Sequence, residues 1–155
     1  MNKSTFVYVT FIRTSPGKLW SALTTPEFMK KYWFQMQVES DFKAGSPWKL
    51  IFEDGRVADS GEILESDPPR RLVIRWRNEW MPQMQAEGFS RCTFAIEPVE
   101  DVDPPAVKLS VTHEMERPDS KFIQAVSGGW PQILSNLKSL LETGEIAFLP
   151  ARKVR

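Results

Sequence analysis

A single long amphipathic segment closes this chain behind a succession of short alternating ones. Across residues 119–143, Phe122, Val126, Trp130, Ile133, Leu137 and then Leu140 or Leu141 recur at steps of three and four, which lays one continuous apolar stripe along a helix. Such a stripe has to be buried, and the remainder of the chain offers one kind of surface to bury it on, a sheet. Pro131, just after Gly128 and Gly129, removes one intrahelical hydrogen bond and predicts a bend in the middle of that helix. Gly144 predicts its C-terminal stop.

The sheet is spelled out by alternation. Residues 4–13 are rich in Phe, Val, Tyr, Thr and Ile, and apolar side chains on both faces predict a strand that is covered on both sides or paired centrally. Ser15-Pro16 and Thr25-Pro26 each combine a cap residue with a proline at the first helical position, so a pair of short helices, 16–23 and 26–31, follows. From residue 35 to residue 114 the period is two. Met36 and Val38 open it, residues 41–46 turn, and Trp48, Leu50 and Phe52 alternate up to the hairpin signal Asp54-Gly55. A strand over 56–65 ends at Asp67-Pro68-Pro69, because neither proline donates to a ladder. Leu72, Ile74 and Trp76 then share one face opposite Arg71, Arg75 and Arg77; Cys92, Phe94 and Ile96 face inward on the next strand; Val107, Leu109, Val111 and His113 do so on the last. One wet and one dry face with short turns is the pattern of an antiparallel sheet. Residues 1–144 form one α+β domain on this reading, and 145–155, ending in Arg152, Lys153 and Arg155, form a loose tail.

Composition narrows the function. With 155 residues, 20 Lys and Arg against 20 Asp and Glu, the chain carries no basic field to gather phosphates, which argues against nucleic acid as a partner. No stretch reaches the ~20 apolar residues of a membrane span, and the apolar start at residues 5–12, interrupted by Thr10, lacks the form of a signal peptide. The lone Cys92 fits a reducing cytoplasm. One His and one Cys cannot build a zinc site, the acidic spacing matches no calcium loop, and neither a phosphate loop nor a nucleophile elbow is present. No cofactor or metal is therefore expected.

Particular residues go further. Ser15-Pro16-Gly17-Lys18-Leu19-Trp20 with Leu23 and Thr25-Pro26-Glu27, then Lys31-Tyr32-Trp33-Phe34, resemble the first helices of the START-like (SRPBCC) superfamily, whose Bet v-type helix-grip fold wraps a curved antiparallel sheet of six to seven strands around a long C-terminal helix. Asp67-Pro68-Pro69-Arg70-Arg71-Leu72 with Arg75-Trp76, and Gly129-Trp130 with Ile133-Leu134, Leu137-Lys138 and Leu141-Glu142-Thr143-Gly144, are similar to one branch of it. That branch is the family related to the C-terminal domain of the activator of heat-shock-protein-90 ATPase. The resemblance covers residues 4–144, and Pro131 departs from its usual pattern. It implies the fold, and it implies a scaffold with many uses and few fixed catalytic residues.

Six Trp and ten Phe against two Tyr form the main functional clue. Trp48, Phe52, Trp76, Phe94, Phe122 and Trp130 are all predicted to point between sheet and helix. Singly, each reads as plain core; together, under one helix on a curved sheet, they read as the lining of an apolar pocket, with His113 as a polar group that could orient a ligand or simply be satisfied within the core. A ligand burying about 300 Å² of apolar surface would gain roughly 7–8 kcal/mol gross, less several kcal/mol for association. Cys92 and His113 lie inward on neighbouring strands, so a Cys–His pair is a further arrangement to check, against the plainer reading of a buried thiol. Arg70, Arg71, Arg75 and Arg77 make a basic outer stripe that Glu62, Glu65 and Glu79 can neutralise, or that a protein partner can dock on. The expected function is binding of a small apolar or aromatic molecule as a carrier or sensor. The alternative is a co-chaperone-like module contacting a chaperone or a second copy, though the chain leaves no room for the extra N-terminal domain of the eukaryotic activators. Third comes a cyclase- or hydrolase-type enzyme, for which the sequence offers no convergent acid and base beyond His113 and scattered carboxylates.

Overall fold

A computed structural model describes residues 2–148 and shows one seven-stranded antiparallel sheet held against a long helix. β1 (Ser4–Ile12) leads into α1 (Pro16–Thr24) and α2 (Pro26–Tyr32), which carry the chain across to β2 (Gln37–Ser40). β3 (Pro47–Ile51), β4 (Val57–Asp67), β5 (Arg71–Asn78), β6 (Ser90–Pro98) and β7 (Val107–Met115) follow, with a one-turn helix, α3 (Pro82–Gln85), between β5 and β6. α4 (Lys121–Thr143) completes the domain. The spatial order is β1-β7-β6-β5-β4-β3-β2, so β1 and β2 form the two edges and the helical pair α1–α2 spans from one to the other.

The local signals act as their chemistry dictates. Ser15 accepts a hydrogen bond from the Lys18 N–H at 3.2 Å and caps α1, whereas Thr25 starts α2 through the fixed φ of Pro26, without a side-chain bond of its own. Ser120 caps α4 through the Ile123 N–H at 3.0 Å. At the far end Gly144 adopts φ 87° and returns its N–H to the Leu140 carbonyl at 2.9 Å. α4 runs unbroken through Pro131, so the expected bend does not interrupt it.

The core lies between the inward face of the sheet and α4. Trp48, Leu50, Ile63, Leu72, Ile74, Trp76, Phe94, Ile96, Val107, Leu109 and Val111 are buried from the sheet side, and Phe122, Trp130, Leu134 and Leu137 from α4. The prediction for the first strand needs correction. β1 is an edge strand paired with β7 alone, and its outward residues Val7, Val9 and Phe11 are 56%, 46% and 54% exposed. Val and Phe suit a pleated strand whether or not it is covered, so their presence on both faces reported β propensity rather than burial. The free edge is partly occupied by α4: Lys138 Nζ donates to the Phe11 carbonyl at 2.6 Å, and Glu142 accepts the Arg13 N–H at 2.9 Å. The tail residues 149–155, Arg152, Lys153 and Arg155 among them, lie outside the described residues.

Candidate ligand cavity

A cavity of about 290 Å³ opens between α4 and the β3–β4–β5 part of the sheet. Its back wall is two indoles. Trp76 from β5 and Trp130 from α4 meet edge to face, centroids 5.7 Å apart and planes at 76°, and Trp33 from the end of α2 packs edge-on against Trp130 at 5.3 Å. Each of the two wall indoles is fixed by its N–H. Trp76 Nε1 donates to Asp59 Oδ2 at 2.8 Å, and Trp130 Nε1 donates to His113 Nδ1 at 3.1 Å. An indole nitrogen only donates, so His113 Nδ1 is an acceptor and its Nε2 carries the proton. That proton goes to Ser90 Oγ at 2.8 Å, and Ser90 Oγ donates in turn to the Trp76 carbonyl at 2.8 Å. The imidazole is fully buried and fully committed, and burial holds its pKa down at about 3, so it stays neutral.

This arrangement leaves no imidazole nitrogen for Cys92. The thiol lies opposite His113 in the β6–β7 ladder, completely buried, and burial pushes its pKa well up. It packs as a small apolar side chain.

Of the residues predicted to bind a ligand, the structure brings Phe52, Trp76, Phe122 and Trp130 to the cavity surface. Trp48, Phe94 and His113 stand behind them: Trp48 lies on Trp76 with centroids 4.5 Å apart, Phe94 meets Trp130 edge-on at 5.7 Å, and His113 sits 5.0 Å from Trp76. They set the wall rather than face the space.

Sequence reasoning missed the polar pole. Asp59 on β4 pairs with Asn78 on β5, and both line the cavity. Asp59 is 7% exposed. Burial raises its carboxyl to about pKa 7, with the Trp76 indole pulling the other way and the charge of Glu79 adding to the rise. The signal was present as parity: Asp59, Gly61 and Ile63 share one face of β4, just as Asn78 continues the inward set Ile74 and Trp76 two residues on.

The strap between β5 and β6 was missed as well. Trp80, Met81 and Met84 close the cavity on that side, with Trp80 52% exposed and edge-on to Phe52 at 5.6 Å. Both ends of the strap are tied. Asn78 Oδ1 accepts the N–H groups of Trp80 and Met81 at 3.2 and 2.8 Å. Glu87 accepts from Ser120 Oγ at 2.6 Å and from the Lys121 N–H at 2.8 Å, at the first turn of α4. Burial alone would raise the Glu87 carboxyl, but these donors, the Phe122 N–H and the charge of Arg117 outweigh it and hold its pKa below the usual range.

Outside the cavity the arginine stripe is largely answered. Arg70 pairs with Asp67 at 3.0 Å, Arg71 with Glu65 at 3.0 Å and Arg77 with Glu79 at 2.8 Å, while Arg75 lies 3.7 Å over the ring of Phe89. Among the described residues, no three His, Cys, Asp or Glu side chains are grouped to hold a metal ion, and no helix is long and apolar enough to cross a membrane.

Comparison with known proteins matches residues 13–142 to the family described as Activator of Hsp90 ATPase homolog 1-like protein. Solved structures share the fold. A protein from Mesorhizobium loti superposes with a TM-score of 0.73 at 26% identity, over 89% of this chain and 96% of that one. The Aha1 dimer from Colwellia psychrerythraea gives 0.71 at 21%, over 91% and 98%. An Hsp90 activator from Plasmodium falciparum gives 0.69 at 20%, over 88% and 95%. A search of curated proteins finds no match.

Proposed function

The chain belongs to the Activator of Hsp90 ATPase homolog 1-like family, and within it we propose the role of a carrier or sensor that binds a small apolar or aromatic molecule between the sheet and α4. The observation that carries this reading is the cavity of about 290 Å³ backed by Trp76 and Trp130, whose indole N–H groups are already spent on protein acceptors. Trp76 and Trp130 therefore offer a ligand fixed aromatic faces rather than donors, in the manner of apolar ligand pockets. Gly129 supports the same reading. It lies in the middle of α4 and lines the cavity, and a Cβ built there would meet no atom within 4 Å. Glycine costs a helix interior about 1 kcal/mol relative to alanine, and no close packing at this position requires it.

The test uses that glycine. A neutral fluorescent probe, N-phenylnaphthylamine, should bind saturably with micromolar affinity, quench tryptophan emission and raise the melting temperature. Gly129→Leu should fill the space, abolish probe binding and leave the melting temperature equal to or above that of the native protein. Absence of saturable binding to the native chain, or undiminished binding to Gly129→Leu, would overturn the proposal.

A second reading, a protein-docking module acting on a chaperone, has one observation in its favour. Val7, Val9 and Phe11 form an exposed apolar row along β1, away from the cavity, and the family description and two of the similar structures name Hsp90 or its activator.

A further inference from the structure

The cavity holds an ionisable carboxyl that no cation among the described residues lining it answers. Asp59 and Asn78 form its polar pole, and no lysine, arginine or histidine is among the described residues that line it. Among the described residues the one hydrogen bond to the Asp59 carboxyl comes from Trp76 Nε1, to Oδ2, which leaves Oδ1 without a donor. Fixing an indole takes a single neutral acceptor, and His113 does that for Trp130. A carboxyl in the same role adds a second oxygen and, once ionised, a buried charge, and a buried charge without a partner is costly.

The surroundings of Asp59 sharpen this. β3 sets Leu50 opposite it, and β5 sets Asn78 opposite it and supplies the Trp76 indole. α4 and the strap line the same cavity with Trp130, Gly129, Met81 and Met84. The charged neighbour that acts on Asp59 is Glu79, of its own sign, and Arg77 is held by that Glu79. Among the described residues, no cation completes the site from any of these sides.

Building on the cavity reading above, we propose that the ligand is a small amine, an apolar or aromatic body with one protonated nitrogen, seated with the ammonium on the Asp59 carboxylate and the body against Trp33, Trp76 and Trp130. The aromatic faces add their own attraction for a cation held in a desolvated site, and the ion pair neutralises the buried carboxylate. Because burial holds the free Asp59 carboxyl up at about pKa 7, an amine arriving below that pH displaces a proton. Its affinity therefore falls about tenfold between pH 8 and pH 6, while a neutral ligand of the same shape is indifferent to pH over that range.

The experiment compares phenethylamine with phenethyl alcohol, by calorimetric titration of the native chain at pH 8 and pH 6 and of Asp59→Asn at pH 8. The amine should bind at least tenfold more tightly than the alcohol at pH 8, lose about tenfold by pH 6 and release close to one proton there. Asp59→Asn, which keeps an acceptor for Trp76, should bind the two alike. Equal affinities for the native chain, or a preference that survives in Asp59→Asn, would overturn the inference; should that variant fail to fold, the native pair at two pH values decides alone. If N-phenylnaphthylamine binds and the amine holds no advantage over the alcohol, the amine inference fails and the cavity reading stands. If none of the three binds, both fail.

Discussion

Asp59 and His113 play the same part for two different indoles, yet burial moves them in opposite directions. The Asp59 carboxyl is raised to about 7, so the folded state holds a proton that the unfolded chain, near 3.8, has released; this group's contribution to stability therefore falls as pH rises from about 4 to 7. His113 is lowered to about 3 against an ordinary 6.5, so the unfolded chain binds the extra proton and this contribution falls as pH drops from 6.5 to about 3. Between about pH 4 and 6.5 the two slopes oppose each other. Asp59→Asn removes the first and leaves the second, so the variant should outlast the native chain at pH 8 by roughly 2–4 kcal/mol and lose that advantage on acidification at about 1.4 kcal/mol per pH unit. Urea unfolding of both proteins at pH 4.5, 6 and 8 measures it, and a constant difference across those values would show that Asp59 is ordinary. Only His113 was visible in the sequence, because it is the single histidine and continues the inward set of its strand. Asp59 was hidden by its kind: an aspartate in an alternating strand reads as the wet face until its parity with Gly61 and Ile63 is counted.

At the scale of the element, β4 owes its place to a missing side chain. Trp48, Gly61 and Trp76 lie in one register row across β3, β4 and β5, and the two indoles come within 4.5 Å of each other over the glycine. A Cβ at Gly61 would fall onto the Arg75 carbonyl oxygen of the neighbouring strand. Backbone cannot yield there as the tip of a flexible side chain would, so Gly61→Ala should cost about 2 kcal/mol or more and disturb the cavity wall. Thermal unfolding gives the loss, and near-ultraviolet dichroism of the coupled indoles reports the wall; an alanine variant with native values for both would contradict this account. Most element positions were legible, since caps, prolines and period-two alternation are local. The strap at residues 79–89 was not. α3 is one turn long, too short for any period, and its place is fixed from outside, by Asn78 at one end and by Glu87 reaching the first turn of α4 at the other.

For the whole molecule, the cavity and the outer row of β1 are separate surfaces with separate consequences. Val9 is 46% exposed, and a lysine there meets solvent, so Val9→Lys should leave folding and probe binding unchanged. If the chain also acts on a chaperone through this row, the same substitution should abolish its stimulation of the chaperone's ATPase, and Gly129→Leu should not. ATPase assays with a full-length Hsp90 distinguish the two surfaces, and stimulation that survives Val9→Lys would remove β1 from the docking site. The sequence by itself determined the run of strands, the short helical pair, the terminal amphipathic helix and the set of aromatic residues turned inward, because each depends on neighbours a few positions apart. Only the tertiary structure decided that β1 lies at an edge, that four of the seven nominated residues face the cavity while three support it from behind, and that Asp59 is buried with no cation beside it among the described residues. Those outcomes are set by which strands become neighbours and by how closely α4 approaches the sheet, and contacts between residues tens of positions apart leave no period in the chain to read.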